Sequence, residues 1–276
     1  MSKQILITYG DNNFKESLIR IKKQAKSVGI FDKIITYTPK DLPTYIKSSP
    51  LFAFKRGGGY WVWKPYIIYK TLLSCNINDV VYYVDAGCTL NANSNEWQTF
   101  QKLTDEYNAI FFQYRDSFNY PGWELACSDP NNNSVKIKHW IKPSTTSYFT
   151  HYCGSKEYLE SNKIMGGFCI IKKTPKLIRT IEEWYKITLF HPELIIDPFG
   201  LELSKIPKTF NLHRHDQAIL TPLIFHYKKS DNILVLDETS ESQKDKAAVS
   251  ADRYRVGNMS FILYLKYRIY NLIHSK

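Results

Sequence analysis

No stretch of this 276-residue chain reaches the run of ~20 apolar residues that a spanning helix needs. The opening MSKQILITYG is too short in apolar residues for a signal peptide. The chain is therefore expected to be cytoplasmic. Its five cysteines, Cys75, Cys88, Cys127, Cys153 and Cys169, are odd in number and never spaced CxxC. That argues against a disulfide framework and against zinc, and for reduced thiols. Zinc-finger, RNP-like and helix-turn-helix patterns are missing too, so nucleic acid is a poor partner despite a net charge of +11. The charge suits an anionic membrane surface or a small phosphorylated substrate better. No repeat and no low-complexity tract interrupts the sequence.

What is present reads as one α/β unit. KQILITYG is a buried strand ending at Thr8-Tyr9-Gly10. A helix follows from about Asn13 to Val28 with Phe14, Leu18, Ile21 and Ala25 on one face, and FDKIITYT is a second strand. KRGGG (55–59) reads as a flexible basic loop. Pro65 sits where the first turn of the next helix tolerates it. NDVVYYVDAG and NAIFFQY are strands. Residues 116–150, polar and rich in Pro and Asn, read as a long loop over one face, and such loops are often lids or specificity elements. KIMGGFCIIKKT is a strand, PKLIRTIEEWYKITLF an amphipathic helix, and DNILVLDE a late strand. Residues 237–253 read as a mobile polar segment. The tail Phe261–Lys276 carries Lys266, Arg268, His274 and Lys276 among Leu, Ile and Tyr. It is either an interfacial helix drawn to anionic lipid or a terminal helix packed on the domain. The division expected is a catalytic domain over 1–235 and an appendage over 236–276. The first splits into a nucleotide-binding part, about 1–115, and an acceptor part, about 116–235.

Four stretches carry chemistry. VVYYVDAG climbs to Asp85 and stops on Ala86 and Gly87. A carboxylate at a strand end in an open α/β sheet faces the ligand crevice, and small neighbours leave room. The bland alternative is a turn or cap aspartate. HRHDQ (213–217) clusters His213, His215, Asp216 and Gln217 before an apolar helix. It offers donors and acceptors suited to hydroxyl groups, or, on the bland reading, Asp216 as an N-cap. GGGYWVWKP (57–65) offers backbone N–H groups and the charge of Lys64 to an anion, with Tyr60 and Trp61 alongside and Trp63 as a core anchor. In IMGGFCII the pair Gly166-Gly167 lets a ligand lie against a strand mouth, or marks a β-bulge.

The order β-α-β, GYWVWKP, YVDAG, GGF, HRHDQ resembles that of GT-A nucleotide-sugar glycosyltransferases over residues 3 to about 230. It is most similar to bacterial and viral polysaccharide-type enzymes with GYWxWKP, DAG and HRxDQ blocks. The resemblance implies a Rossmann-like mixed sheet flanked by helices. It also implies transfer of a hexose from a nucleotide sugar, UDP-linked by preference, to a glycan or lipid-linked acceptor. Asp85 matches the first Asp of the family's D-x-D, whose cation is Mn²⁺ or Mg²⁺, while Gly87 replaces the second. The cation then has fewer protein ligands, or His213 or His215 completes its site, or Lys64 with Arg253 and Arg255 replaces it. Asp216 and Gln217 match a pair beside the transferred sugar in retaining relatives, although an Asp there can also serve an inverting enzyme as base. Asp85, Asp216 and Gln217 are thus the catalytic candidates. Donor contacts are expected from Thr8, Tyr9, Gly10, Tyr60, Trp61, Lys64, Asp85, Ala86, Gly87 and His215. Acceptor contacts are expected from Gly166, Gly167, Trp123 and Trp140. The competing functions are a sugar nucleotidyltransferase and a non-catalytic nucleotide- or glycan-binding module.

Overall fold

The computed structural model describes residues 2–116, 118–120 and 134–252. Trp123, Cys127, Arg253, Arg255 and the basic aromatic tail lie outside the described residues. The chain opens with β1 (Gln4–Tyr9), α1 (Lys15–Val28) and β2 (Lys33–Tyr37). Leu18, Ile21 and Ala25 are the buried apolar face of α1, and Gly29 ends it in the left-handed region at φ 78°. Two short turns, α2 (Thr44–Lys47) and α3 (Gly57–Tyr60), lead into α4 (Trp63–Ser74). Then come β3 (Val80–Val84), β4 (Thr89–Leu90), α5 (Glu96–Glu106), β5 (Ala109–Gln113), α6 (Pro143–Cys153) and β6 (Ile164–Lys172). The described chain closes with α7 (Pro175–Phe190), α8 (His215–Tyr227), β7 (Ile233–Asp237) and β8 (Val249–Ser250).

The main sheet has the order β2-β1-β3-β6-β5-β7. Only β6 runs against its neighbours. This is the mixed α/β sheet expected from the strand and helix pattern. All five residues of β3 are buried, as a central strand covered on both faces requires. From β1 the chain turns first to β2 on one side and later to β3 on the other. That reversal opens a crevice beyond the carboxyl ends of β1 and β3, where open α/β sheets bind ligands. Because β6 is antiparallel, its first residues reach the same crevice. Val84 pairs with Phe168, and the Asp85 N–H donates to Gly167 O at 2.8 Å. The expected nucleotide and acceptor parts thus share one sheet, with β6 between β3 and β5.

Four local expectations are corrected. The excursion 116–150 becomes helical at Pro143, whose ring suits the first helical turn, and α6 runs to Cys153 before Gly154 stops it at φ 69°. Residues 237–252 are packed rather than mobile. Glu238 is fully buried and accepts a 2.6 Å hydrogen bond from Tyr120, and β8 pairs with β4. Asp216 is not a cap, because α8 begins at His215 and its N-cap position falls on Arg214. The KRGGG loop is a tight left-handed turn rather than a flexible one. Gly57, Gly58, Gly59, Tyr60 and Trp61 all have φ between 50° and 94°.

Candidate active site

Four of the stretches singled out in the sequence meet at the crevice. Lys64, on the first turn of α4, is buried with 1% of its surface accessible. Its Nζ lies 2.6 Å from Asp216 Oδ2, 3.6 Å from Asp85 Oδ1 and 2.9 Å from Gly166 O. The nitrogen also sits 5.5 Å from the Tyr83 ring centre and 5.9 Å from that of Trp61. Burial works against the ammonium charge, but the attraction of Asp216 and then of Asp85 outweighs it and raises the Lys64 pKa. Lys64 therefore joins β3, β6 and α8 at one atom. Its charge is committed to two carboxylates rather than open to an anion.

Asp85 is the accessible member of the cluster: its side chain is 33% exposed, against 9% for Asp216. Tyr83 donates a hydrogen bond to Asp85 Oδ1. Burial first, and Asp85 second, push the Tyr83 phenol well above its ordinary pKa, so it stays a donor. The loop behind Asp85 is held by a residue that the sequence did not flag. Arg20, from α1, donates to Ala86 O and Cys88 O at 2.9 Å each and to Thr89 Oγ1 at 3.1 Å. The one signal it gave was a lone arginine among the lysines of α1.

The glycine pair has a steric reason. A Cβ on Gly166 would stand 2.9 Å from Asp216 Oδ2 and 3.3 Å from Lys64 Nζ. One on Gly167 would stand 3.5 Å from Asp85 Oδ2, an ordinary contact distance. Gly166 thus lets the carboxylate and ammonium close up, and Gly167 leaves open the side of Asp85. Gln217, next to Asp216, has a buried Oε1 without a hydrogen-bond partner. Such an acceptor is costly to leave unmet, so it marks a place for a donor group.

His213 serves the fold, whereas His215 keeps a buried Nε2 without a hydrogen-bond partner. His213 is fully buried; its Nδ1 accepts from Lys142 N at 3.2 Å and its Nε2 faces Leu194 O at 2.9 Å. With both nitrogens engaged it cannot ligate a metal. His215 Nδ1 faces Ile195 O at 2.7 Å, and its Nε2 lies 3.7 Å from Asp197 Oδ1. Burial lowers both pKa values, that of His213 well below the usual range, so both rings are neutral. Asp197, also unflagged by the sequence, accepts from Tyr60 OH at 3.0 Å and lies 3.4 Å from Arg56. The left-handed turn 57–61 presses Tyr60 and Trp61 against the His215 ring, with centroids 4.8 and 5.7 Å away. Two non-glycine residues in that region cost about 1–2 kcal/mol each, strain of the kind that concentrates at functional sites. Every N–H from Gly58 to Val62 is consumed by the turn itself, so the expected anion-binding amides are already bonded.

Other predicted contacts are less exposed. Thr8 is fully buried with an unpartnered Oγ1. The Tyr9 ring is buried and stacked on Trp63, centroids 3.9 Å apart, which leaves that face closed to a base. Gly10 has its small size used by the start of the next helix, since a Cβ there would lie 2.7 Å from Phe14 Cβ and 3.0 Å from Leu18 Cγ on α1. Trp140 is fully buried, with Lys163 Nζ 3.9 Å and the Arg214 guanidinium 4.7 Å from its ring. It holds its segment down and offers no face to a sugar.

The donor set does not fit a resident metal. Among the described residues no group of three His, Cys, Asp or Glu side chains converges. Gly87 brings no carboxylate, His213 is engaged, and Lys64 places a positive charge 3.6 Å from Asp85. A hard divalent cation takes six or more oxygen ligands, and here the protein offers one carboxylate.

No family model matches the chain, and no curated protein does. Solved structures similar in fold include mouse xyloside xylosyltransferase 1, at 8% identity over 86% of each chain with a TM-score of 0.40. Another is the galactosyltransferase LgtC with donor and acceptor sugar analogues, at 11% identity over 98% of this chain and 95% of that one, TM-score 0.39. A third is core-mannan synthase A from Aspergillus fumigatus in an Mn/GDP form, at 12% identity over 85% and 73%, TM-score 0.41.

Proposed function

We propose that this chain is a GT-A glycosyltransferase that moves a hexose from a nucleoside diphosphate sugar, UDP-linked by preference, to a glycan or lipid-linked acceptor. The observation that carries the reading is the convergence of Asp85, Lys64, Gly166 and Asp216 at the crevice between the β1 and β3 ends. These residues are distant in sequence, and the packing of the fold alone does not require two carboxylates there.

Breaking the bond from sugar to diphosphate leaves positive character on the ring and negative charge on the leaving group. The cluster of two carboxylates and one ammonium is net negative, which suits the ring. Asp216, fixed by Lys64, and the free Oε1 of Gln217 would face the anomeric carbon and its hydroxyls. Asp85, open beside Gly167, would face the donor diphosphate. Two anionic groups there call for a cation that arrives with the donor. Asp85 would be its protein ligand, and Mn²⁺ or Mg²⁺ would offset the charge of the departing diphosphate. With Asp216 held by Lys64, a sugar seated beside it would be transferred with retention of anomeric configuration.

The test is hydrolysis and binding with a panel of nucleoside diphosphate sugars, each with Mn²⁺ or EDTA. A UDP-sugar should raise the melting temperature, as any ligand of the folded state must. It should also be slowly hydrolysed, and Asp85→Asn and Gln217→Ala should both abolish turnover. Stabilisation without turnover of any donor, acceptor-free or not, would point to a binding module instead. No response to any nucleotide would refute the reading.

A further inference from the structure

Residues 199–209 form a strap across the surface just before the HRHDQ segment. Glu202 turns inward: its carboxylate accepts from Ser144 N at 2.8 Å and lies 3.3 Å from the buried Lys142, at the start of α6. At the other end Thr209 O meets His139 Nδ1 at 2.8 Å. On either side of Glu202 the strap leaves its large apolar side chains in solvent. Leu201 is 87% exposed, Phe199 64% and Leu203 56%. Exposing even one such side chain forgoes a favourable burial, so three on one short turn need a reason.

The strap is also the rim of a groove of about 930 Å³, lined by Lys138, Ile141, His151, Lys156, Leu159 and Lys205 among others. Glu160 matches Lys138 at 2.8 Å. Among the described residues no carboxylate pairs with Lys156 or Lys205. An apolar edge beside unmatched cations is the pattern of a surface that enters a lipid interface while its basic residues meet phosphate. A soluble acidic protein or a nucleic acid would satisfy the lysines but leave the leucines and Phe199 in water. The net charge of +11 acts in the same direction.

We propose that the strap and its groove dock on an anionic membrane surface. Phe199, Leu201 and Leu203 enter the interface, and lipid phosphates meet Lys156 and Lys205 at the groove mouth. The proposal does not depend on the transferase reading. It bears on it, because Asp197, two residues before Phe199, contacts Tyr60 and His215. Docking would hold the crevice close to the membrane, within reach of a lipid-linked acceptor.

The experiment is co-sedimentation of the full chain with phosphatidylcholine vesicles, with and without phosphatidylglycerol. Binding is expected only to the anionic vesicles and should weaken with salt. Leu201→Ser with Leu203→Ser should weaken it by about tenfold or more. Lys156→Ala with Lys205→Ala should weaken it by about fivefold per lysine. All four positions are exposed, so melting temperatures should not change. Failure to bind anionic vesicles overturns the proposal, as does binding that both variants retain. Equal binding to neutral vesicles overturns the phosphate part. A dimer in sedimentation velocity that the leucine variant dissolves would give the face to a second copy and also overturn it.

Discussion

Replacing Lys64 by methionine removes the charge while keeping an unbranched side chain in the buried channel. Two carboxylates then face each other without a cation. Their distances to the one nitrogen place their oxygens within about 6 Å, where unit charges repel by about 3 kcal/mol at an effective dielectric of about 20. Asp216, only 9% exposed, also loses its 2.6 Å partner, and stranding one member of a buried ion pair typically costs about 3–5 kcal/mol. The two figures describe one effect and are not additive, so about 4 kcal/mol is the expectation. For a chain of this size that is a fall of about 10 °C in melting temperature. The decisive variant is the double one, Lys64→Met with Asp216→Asn, which removes both ends of the closest pair. It should recover most of the loss in urea or thermal unfolding, and the cycle isolates the coupling. If the double variant is no more stable than Lys64→Met, packing of the lysine stem and not charge pairing holds the site, and the electrostatic account fails.

The glycine pair predicts an asymmetry. Gly166→Ala forces a Cβ against Asp216 and Lys64 and should cost about 1–3 kcal/mol and abolish donor hydrolysis. Gly167→Ala meets only ordinary contacts and should fold as the parent does; equal losses in the two would refute the steric reading. A third expectation concerns pH. His213 and His215 are neutral and lowered by burial, so the unfolded chain binds their protons first. Their contribution to stability is present above about pH 6.5 and is lost progressively as pH falls below it, by at most about 1.4 kcal/mol per pH unit for each ring. Urea midpoints should follow that slope, and His213→Gln should flatten it among variants that fold; a parent whose midpoint is flat over this window would contradict it.

The parts of the site that were legible in the sequence are those where one residue type has few structural uses. A carboxylate closing the apolar run VVYYV, and a glycine pair opening IMGGF, have little to do inside a sheet unless something meets them there. Periodicity also gave the sheet, because VVYYV and ILITY are long enough to decide between strand and helix. Partners were less legible. Lys64 looked like a free charge for an anion, and only the topology that places β6 beside β3 reveals that Asp85 and Asp216 claim it. Arg20 and Asp197 were silent because a lone arginine on an amphipathic helix, or an aspartate before a proline, is ordinary surface composition. Local polarity misled at 237–252, where Glu238 is buried against Tyr120 despite its acidic, serine-rich surroundings. Prolines and asparagines likewise hid α6, which starts at one of the very prolines that read as a loop signal.

The same reasoning explains what a buried lysine does between two acids in the crevice. A site with Asp85, Asp216 and a further carboxylate would repel itself strongly and depend on a metal to hold together. Here the ammonium stands 2.6 and 3.6 Å from the two acids, a counter-charge that the fold itself supplies. The consequence is separable in solution. Chelation should leave the melting temperature of the free chain unchanged while removing the stabilisation given by a nucleotide sugar. A chain that EDTA destabilises without any nucleotide would carry a resident cation, and the reading of Lys64 as the built-in counter-charge would be wrong.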